Sequence, residues 1–253
     1  MEQWFRARRA EGRRLLVPYV TGGLHGWQDA VRAVVAAGAD AVEIGLPFSD
    51  PVMDGPVIQQ ASQMALDEGA TPVSILHDVR GLDVEVPLAV MTYYNTVHHA
   101  GHERFAAQLA DAGICAAIVP DLPLEESGPW CTAADAAGIE TVMLAAPTAP
   151  DERLPRIAAR ARGFVYSVGL LGVTGERDRL ADTAVALARR LKAITDVPVL
   201  VGVGVSNADQ AVEVCRVADG VVMGAAVVRR ILEGGPDAAG DFVAEVRHAL
   251  DAS

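Results

Sequence analysis

The sequence contains few of the residues on which several kinds of protein depend. It has three cysteines and a single lysine, and aromatic residues make up only 5% of its 253 positions. Because Lys192 falls in a predicted helix, no strand carries an amine for Schiff-base chemistry. Cys115, Cys131 and Cys215 are widely spaced and form no CxxC pair, which favours reduced thiols over a disulfide framework or a zinc site.

Long apolar runs and positive charge are also scarce. No stretch approaches the roughly 18 apolar residues that a membrane span needs, and the charged N-terminal segment lacks the apolar centre of a signal peptide. The net charge of -12 argues against a surface that binds polyanions. We therefore expect a cytoplasmic protein that contacts neither membranes nor nucleic acids. A local phosphate site is still allowed, because backbone N–H groups at a helix start can bind phosphate.

What the sequence has in abundance is one repeated unit, an apolar β-prone run followed by a loop and an amphipathic helix. The predicted strands span residues 15–21, 41–45, 87–92, 116–119, 140–145, 164–168, 198–202 and 220–223. The predicted helices span residues 27–37, 58–67, 102–112, 126–137, 151–161, 183–194, 207–217 and 225–232, with a short N-terminal helix and an extra helical piece at 73–79.

Eight such units favour an α/β fold of the (β/α)₈ TIM barrel type over an open doubly wound sheet, which the pattern alone leaves open. The strands are near-continuous apolar runs, as expected for a parallel sheet covered by helices. No composition shift divides the chain, so we expect residues 1–253 to form a single domain. In such barrels the functional residues lie at the carboxyl ends of the strands and on the loops that follow.

Two carboxylates stand near the end of the second predicted strand. Glu43 lies inside an apolar run, where an unpaired carboxylate is costly, and Asp54 lies in the Pro- and Gly-rich loop that follows. Each acid also has a structural explanation, because Glu43 could bond to a neighbouring hydroxyl and Asp54 precedes a glycine in a turn-forming sequence. If both face the barrel mouth, they form an acid/base pair with two roles to divide.

Other polar residues follow the later strands. Tyr93, Tyr94 and Asn95 follow the third strand, Asp121 follows the fourth, and Tyr166 lies in the sixth, so all are expected at the same barrel face. Asp121 could equally begin a helix. The histidines near residue 100 lack the further ligands of a metal site and more simply form a solvated helix start, so no metal is expected.

Three glycine-rich segments follow the last three strands, at residues 170–175, 201–206 and 221–228. Barrels often bind phosphate with backbone N–H groups of the loops after the seventh and eighth strands. Gly204 and Gly224 therefore become candidates for close backbone approach to a phosphate, although glycines also serve simple tight turns.

These motifs together resemble the tryptophan synthase alpha subunit family. The similarity extends from about residue 15 to residue 232, and the motifs occur in the family's order: EIGLPFSDPVMDGPVIQ (43–59), TYYN (92–95), PDLPLEES (120–127), GVTG (172–175), GVGVS (202–206) and VMGAAVV (222–228). The resemblance implies a (β/α)₈ barrel that cleaves indole-3-glycerol phosphate to indole and D-glyceraldehyde 3-phosphate. This retro-aldol reaction requires neither a metal nor an organic cofactor.

The resemblance also implies roles for individual residues. Glu43 is expected to move a proton between indole C3 and the glycerol hydroxyl, while Asp54 accepts a hydrogen bond from the indole N–H. A fixed anion near that nitrogen stabilises the positive charge that develops when C3 is protonated. Tyr166 matches a family position beside the substrate, and Tyr93 matches one along the indole pocket.

The phosphate cradle of the family matches Gly175, Gly204, Gly224 and Ala225. A serine is common at the position of Ala225, so one hydroxyl contact is missing here. Since the backbone N–H groups are unaffected by that change, we expect phosphate binding to weaken by only about 1 kcal/mol.

The family's alpha subunit docks on a pyridoxal-phosphate-dependent beta subunit in an α₂β₂ complex, and Asp50, Pro51 and Asn95 match positions that lie toward this partner. The long loop at residues 169–182 is expected to be a lid whose Thr174 closes toward Asp54 when substrate is bound. Two alternatives remain open, a free-standing lyase that releases indole and a catalytically weak regulatory paralogue. Retention of both acids counts against the second alternative.

Overall fold

Eight parallel strands form a closed barrel in which each strand pairs with its neighbours in the sequence and β8 returns to β1. The computed structural model describes residues 1–169, 177–202 and 204–253, and within residues 177–182 only the backbone. The strands in these ranges are β1 (Leu15–Thr21), β2 (Val42–Gly45), β3 (Leu88–Met91), β4 (Ala116–Ile118), β5 (Glu140–Ala145), β6 (Val165–Ser167), β7 (Val199–Val201) and β8 (Gly220–Met223). The predicted barrel is therefore confirmed, and the open sheet was the wrong alternative.

Helices surround this barrel and follow the strands in the predicted alternation. They are α1 (Glu2–Ala10), α2 (Trp27–Ala36), α3 (Pro56–Asp67), α4 (Pro72–Val79), α5 (Tyr94–Ala100), α6 (His102–Asp111), α7 (Gly128–Ala136), α8 (Arg153–Arg160), α9 (Arg177–Lys192), α10 (Ala208–Cys215) and α11 (Ala225–Asp251). Every predicted helix has a counterpart, including the N-terminal helix and the extra helix after β2.

Three parts of the helical prediction differ from the structure. Residues 94–100 form a separate helix, α5, which Gly101 ends with a left-handed φ of 86°. The last helix continues to Asp251 past a break at Gly235, because Pro236 can start a new helical segment even though it interrupts the old one. Helix α9 begins at Arg177, so the predicted lid at residues 169–182 is helical in its last part, while residues 170–176 lie outside the described residues.

The barrel interior is closed at its amino end by α1. Phe5 from this helix is fully buried and packs against Phe164 with 6.0 Å between ring centroids. Leu15, Val17 and Leu200 belong to the same inner cluster. Burial of such a side chain contributes roughly 2 kcal/mol to folding, so α1 closes the interior of the barrel at this end with apolar packing.

Within the ranges that the structure describes, none of the helices combines the length and apolar character that crossing a bilayer requires.

Candidate active site

Glu43 is the most deeply buried acid at the carboxyl end of the barrel. In β2 it pairs in register with Tyr19 of β1 and Ala89 of β3, and it is only 1% exposed. Its Oε2 has no hydrogen-bond partner among the residues that the structure describes. Burial, and secondarily the negative charge of Asp54, raises the pKa of Glu43 from 4.5 to about 8. The side chain therefore holds a proton near neutral pH that it can donate.

Asp54 lies in the loop between β2 and α3 in a more polar environment. Burial raises its pKa, whereas a hydrogen bond from the Tyr93 side chain acts in the opposite direction. The Tyr93 oxygen also accepts a hydrogen bond of 3.0 Å from the backbone N–H of Met53, and its ring stacks on Phe48 at 5.2 Å. Tyr93 thus fixes the loop that carries Asp54, and the two acids occupy different surroundings, as a division of acid/base roles requires.

Two further tyrosines complete the mouth of the barrel. Tyr19 is 5% exposed, and its ring end lies so close to Gly45 that a Cβ at that position would overlap the phenol. Tyr166 is half-buried and lies in the same way against Gly202. Burial raises the pKa of both phenols, and the charges of Asp54 and Glu43 raise it further. Both groups therefore remain neutral hydrogen-bond donors at ordinary pH.

Tyr19 was missed by sequence reasoning. The alternation of Leu15 and Val17 with outward residues of β1 could have indicated that Tyr19 points inward, but not that it stands beside Glu43. That neighbour depends on the register between two strands, which the pattern within one strand does not contain.

The candidate phosphate residues lie around the start of α11. Gly224 is the N-cap residue of this helix, Ala225 is its exposed first residue, and no side chain among the described residues caps the N-terminus. A Cβ on Gly224 would lie 3.9 Å from the Cβ of Tyr19, so this helix start opens beside the mouth. Gly204 is exposed and has a left-handed φ of 87°, which glycine adopts readily. Val203, directly before Gly204, lies outside the described residues.

Thr174 and Gly175, the two remaining sequence-based candidates near the substrate, lie outside the described residues. The described part of the cradle therefore consists of Gly204 and the N-terminus of α11, whose free backbone N–H groups and positive dipole end suit an anion.

The residues expected to face a partner are at the surface. Asp50 is exposed and accepts a 2.6 Å hydrogen bond from the Ser49 hydroxyl, while Pro51 is half-buried. The neighbouring Val52 is 74% exposed, unusually open for a valine. Asn95 is exposed on the first turn of α5.

Two of the weaker candidates have structural roles. Asp121 accepts a 2.8 Å hydrogen bond from the backbone N–H of Tyr94, so it caps α5 from the following loop. The hydroxyl of Tyr94 in turn lies 3.0 Å from Nε2 of His102, and His98 packs edge-on against the Tyr94 ring. The described residues contain no group of three or more His, Cys, Asp and Glu side chains that could hold a metal ion.

A closed (β/α)₈ barrel with a buried carboxyl of raised pKa beside a second acid at its carboxyl end is the arrangement of a barrel enzyme suited to acid/base chemistry. Comparison with known proteins identifies the family to which this barrel enzyme belongs. The family model for the tryptophan synthase alpha chain matches residues 5–249. The chain belongs to the tryptophan synthase alpha chain family.

Individual relatives agree with the family model over most of their length. The tryptophan synthase alpha chain of Streptomyces coelicolor is 47% identical over 239 residues, which cover 92% of this chain and 88% of the relative. That of Thermobifida fusca is 45% identical and covers 97% of this chain and 95% of the relative.

Solved structures agree as well. The aminoacrylate-bound tryptophan synthase of M. tuberculosis superposes with a TM-score of 0.89 at 34% identity, with 98% of each chain covered. The alpha subunit from Legionella pneumophila superposes with a TM-score of 0.88 at 30% identity, with 99% of this chain and 98% of that chain covered. The chain is accordingly a carbon–carbon lyase of tryptophan biosynthesis, which cleaves indole-3-glycerol phosphate to indole and D-glyceraldehyde 3-phosphate.

Proposed function

We propose that Glu43 is the acid/base of this lyase reaction and that Asp54 stabilises the charge that develops on the indole ring. The observation that carries the proposal is the state of Glu43, a carboxyl that is 1% exposed, has no partner for Oε2 among the described residues, and has a pKa raised to about 8. A carboxyl held neutral at pH 7 is suited to protonate a weakly basic carbon.

The chemistry follows from the two environments. Glu43 delivers its proton to indole C3, and the positive charge that results is shared with the ring nitrogen. Asp54 accepts a hydrogen bond from the ring N–H and opposes this charge. The Glu43 carboxylate then removes the proton from the glycerol hydroxyl next to the ring, the carbon–carbon bond breaks, and its electron pair returns to the indole. Glyceraldehyde 3-phosphate leaves as the aldehyde, and Glu43 is protonated again.

The remaining site residues bind and orient the substrate. Tyr93 borders the indole through its position beside Asp54, and Tyr166 lies beside the reacting centre. Backbone N–H groups near Gly204, Gly224 and Ala225 receive the phosphate. Thr174 and Gly175 contribute from the loop at the mouth, with Thr174 on a lid that closes over the substrate. No metal or organic cofactor takes part.

The partner of this chain is a tryptophan synthase beta subunit, to which the alpha chain delivers indole. We assign an α₂β₂ complex in the cytoplasm, with Asp50, Pro51 and Asn95 at the interface. Exposed Val52 supports this choice, because the fully buried centre of a protein interface is more apolar than the rest of the protein surface.

Replacement of Glu43 tests the assignment. Glu43→Gln keeps the size of the side chain but removes the proton-transfer group, so turnover of indole-3-glycerol phosphate should fall by roughly 10²–10⁴-fold. The matched control is Asp121→Asn, the same chemical change at the same end of the barrel, in which the amide oxygen can still cap α5. Near-normal turnover in Glu43→Gln, with the fold intact by circular dichroism, would refute the assignment.

A second assay separates the partner-dependent enzyme from a free-standing one. Turnover is measured for the purified chain alone and again after addition of a beta subunit. Strong stimulation supports the complex, whereas high unaided turnover that does not change supports the free-standing lyase.

A further inference from the structure

Tyr19 is a buried side chain at the barrel mouth for which the roles above provide no task. The chain has four tyrosines, and three of them, Tyr19, Tyr93 and Tyr166, surround the two acids. Tyr93 supports the loop of Asp54, and Tyr166 borders the substrate. Tyr19 is 5% exposed, so its hydroxyl group is largely removed from bulk water. The Thr21 hydroxyl lowers the pKa of this phenol by donating to its oxygen, which leaves the phenol proton for an acceptor inside the site.

The position of Tyr19 is fixed by the barrel. It is the register partner of Glu43 on the adjacent parallel strand, and both residues follow inward-facing ones, Val17 and Ala41, at the two-residue spacing of a strand face. The ring end extends over Gly45, two residues beyond Glu43, where no Cβ would fit. The phenol is thus held against β2 on the mouth side of the Glu43 backbone.

Glu43 in turn is short of hydrogen bonds. Its Oε2 has no partner among the described residues. The titratable groups that face it are Tyr19 from β1, Asp54 from the loop after β2 and Tyr166 from β6. Asp54 is an acid and repels the ionised form of Glu43, so of these three titratable groups the two phenols are the ones that can donate to that form. Ala89, the register neighbour on β3, has no polar side-chain atom.

We infer that Tyr19 is a positioning residue for Glu43, whose hydroxyl donates a hydrogen bond to the carboxylate that Glu43 becomes once its proton has moved to the indole ring. Tyr19 itself transfers no proton. The bond is stronger to the ionised carboxyl than to the neutral one, so it favours the step in which the proton leaves. The inference rests on the proposed role of Glu43.

The test measures Glu43 directly in the unliganded chain by ¹³C NMR titration of its side-chain carboxyl. In Tyr19→Phe the ring over Gly45 remains and only the hydroxyl is lost, so the pKa of Glu43 should rise by about one unit. In the same variant kcat should fall about tenfold with little change in KM, because the lost bond serves the ionised state. Tyr94→Phe, whose hydroxyl lies beside His102 and away from the acids, should leave the pKa and kcat unchanged.

A second variant reverses the sign of the effect. 3-Fluorotyrosine introduced at position 19 is a stronger donor of nearly the same size, so the pKa of Glu43 should fall below the wild-type value. An unchanged pKa in both variants overturns the inference, and so does a rise that occurs in Tyr166→Phe but not in Tyr19→Phe. Because the titration needs no substrate, its failure is distinct from failure of the lyase assignment, which the activity of Glu43→Gln decides.

Discussion

Two pairs of adjacent strands in the barrel, β1 with β2 and β6 with β7, place a tyrosine in the same way and differ in what lies beside it. In the pair β1 and β2, Tyr19 stands in register with Glu43, and its ring covers Gly45 two residues further along β2. The residue beside the phenol is therefore an acid that is almost fully buried.

In the pair β6 and β7 the same arrangement contains no acid. Tyr166 stands in register with Leu200, and its ring covers Gly202 two residues further along the chain. Leu200 is fully buried in the inner apolar cluster. A tyrosine ring thus packs over a glycine of the adjacent strand at two places in this barrel. This packing does not itself require a carboxyl beside the tyrosine.

The difference supports the proposal that Glu43 is a functional acid. A leucine satisfies this kind of position with apolar contacts, whereas Glu43 occupies it at the cost of burying a carboxyl that lacks a partner for one oxygen. Structures retain such costly groups where activity depends on them. The comparison leads to four predictions, in decreasing order of expected effect.

The largest effect on stability is expected when an acid is introduced into the pair β6 and β7. Leu200→Glu buries a carboxyl at a position in the inner apolar cluster, and should lower the free energy of unfolding at pH 8 by about 3–5 kcal/mol. Urea denaturation measures this change, and Leu200→Met, which preserves volume, should cost less than about 1.5 kcal/mol. Equal stability of the two variants would mean that the position tolerates a carboxyl.

The second prediction concerns pH. The pKa of Glu43 is raised in the folded chain to about 8 from 4.5, so between these values the unfolded chain loses the proton while the folded chain keeps it. Stability should therefore fall as pH rises through this window, by up to about 1.4 kcal/mol per unit, and level off above pH 8. Urea titrations from pH 4 to 9 of the wild type and Glu43→Gln measure the contribution as their difference. If the difference in unfolding free energy between the wild type and Glu43→Gln stayed constant with pH, the raised pKa of Glu43 would be contradicted.

The third prediction concerns the packing of each tyrosine ring over its glycine, which occurs in both strand pairs. Gly45→Ala forces the ring of Tyr19 to move and should cost about 1–3 kcal/mol, and Gly202→Ala should cost a similar amount through Tyr166. In a Tyr19→Ala background the cost of Gly45→Ala should largely disappear, while that of Gly202→Ala should persist. Additive costs for Gly45→Ala and Tyr19→Ala would mean that the two sites are not in contact.

The smallest effect on stability is expected when the acid is removed from the pair β1 and β2. Glu43→Leu makes the first pair resemble the second, so it should abolish lyase activity and raise the free energy of unfolding by about 1–2 kcal/mol at pH 7. Thermal and urea denaturation measure the gain. A loss of stability would mean that Glu43 makes favourable contacts that a leucine cannot replace.

Local sequence patterns predicted much of the barrel. The predicted bounds of β1, β5 and β8 agree with the structure, and the other strands are shorter by one or two residues because the chain leaves the ladder as each loop begins. Helix α5 was missed because Gly101 separates it from α6, and the short segment before that glycine has too few apolar positions to reveal a helical period.

The sequence by itself determined which residues reach the carboxyl end of the barrel. Strand alternation and the position of each loop are local properties, so Glu43 within its apolar run and Asp54 on the following loop could be recognised without the structure. Only the tertiary structure decided which of these residues are neighbours. The register that sets Tyr19 beside Glu43, and the depth of burial that raises the pKa of that acid, arise from pairing and packing between strands that are separate in the sequence.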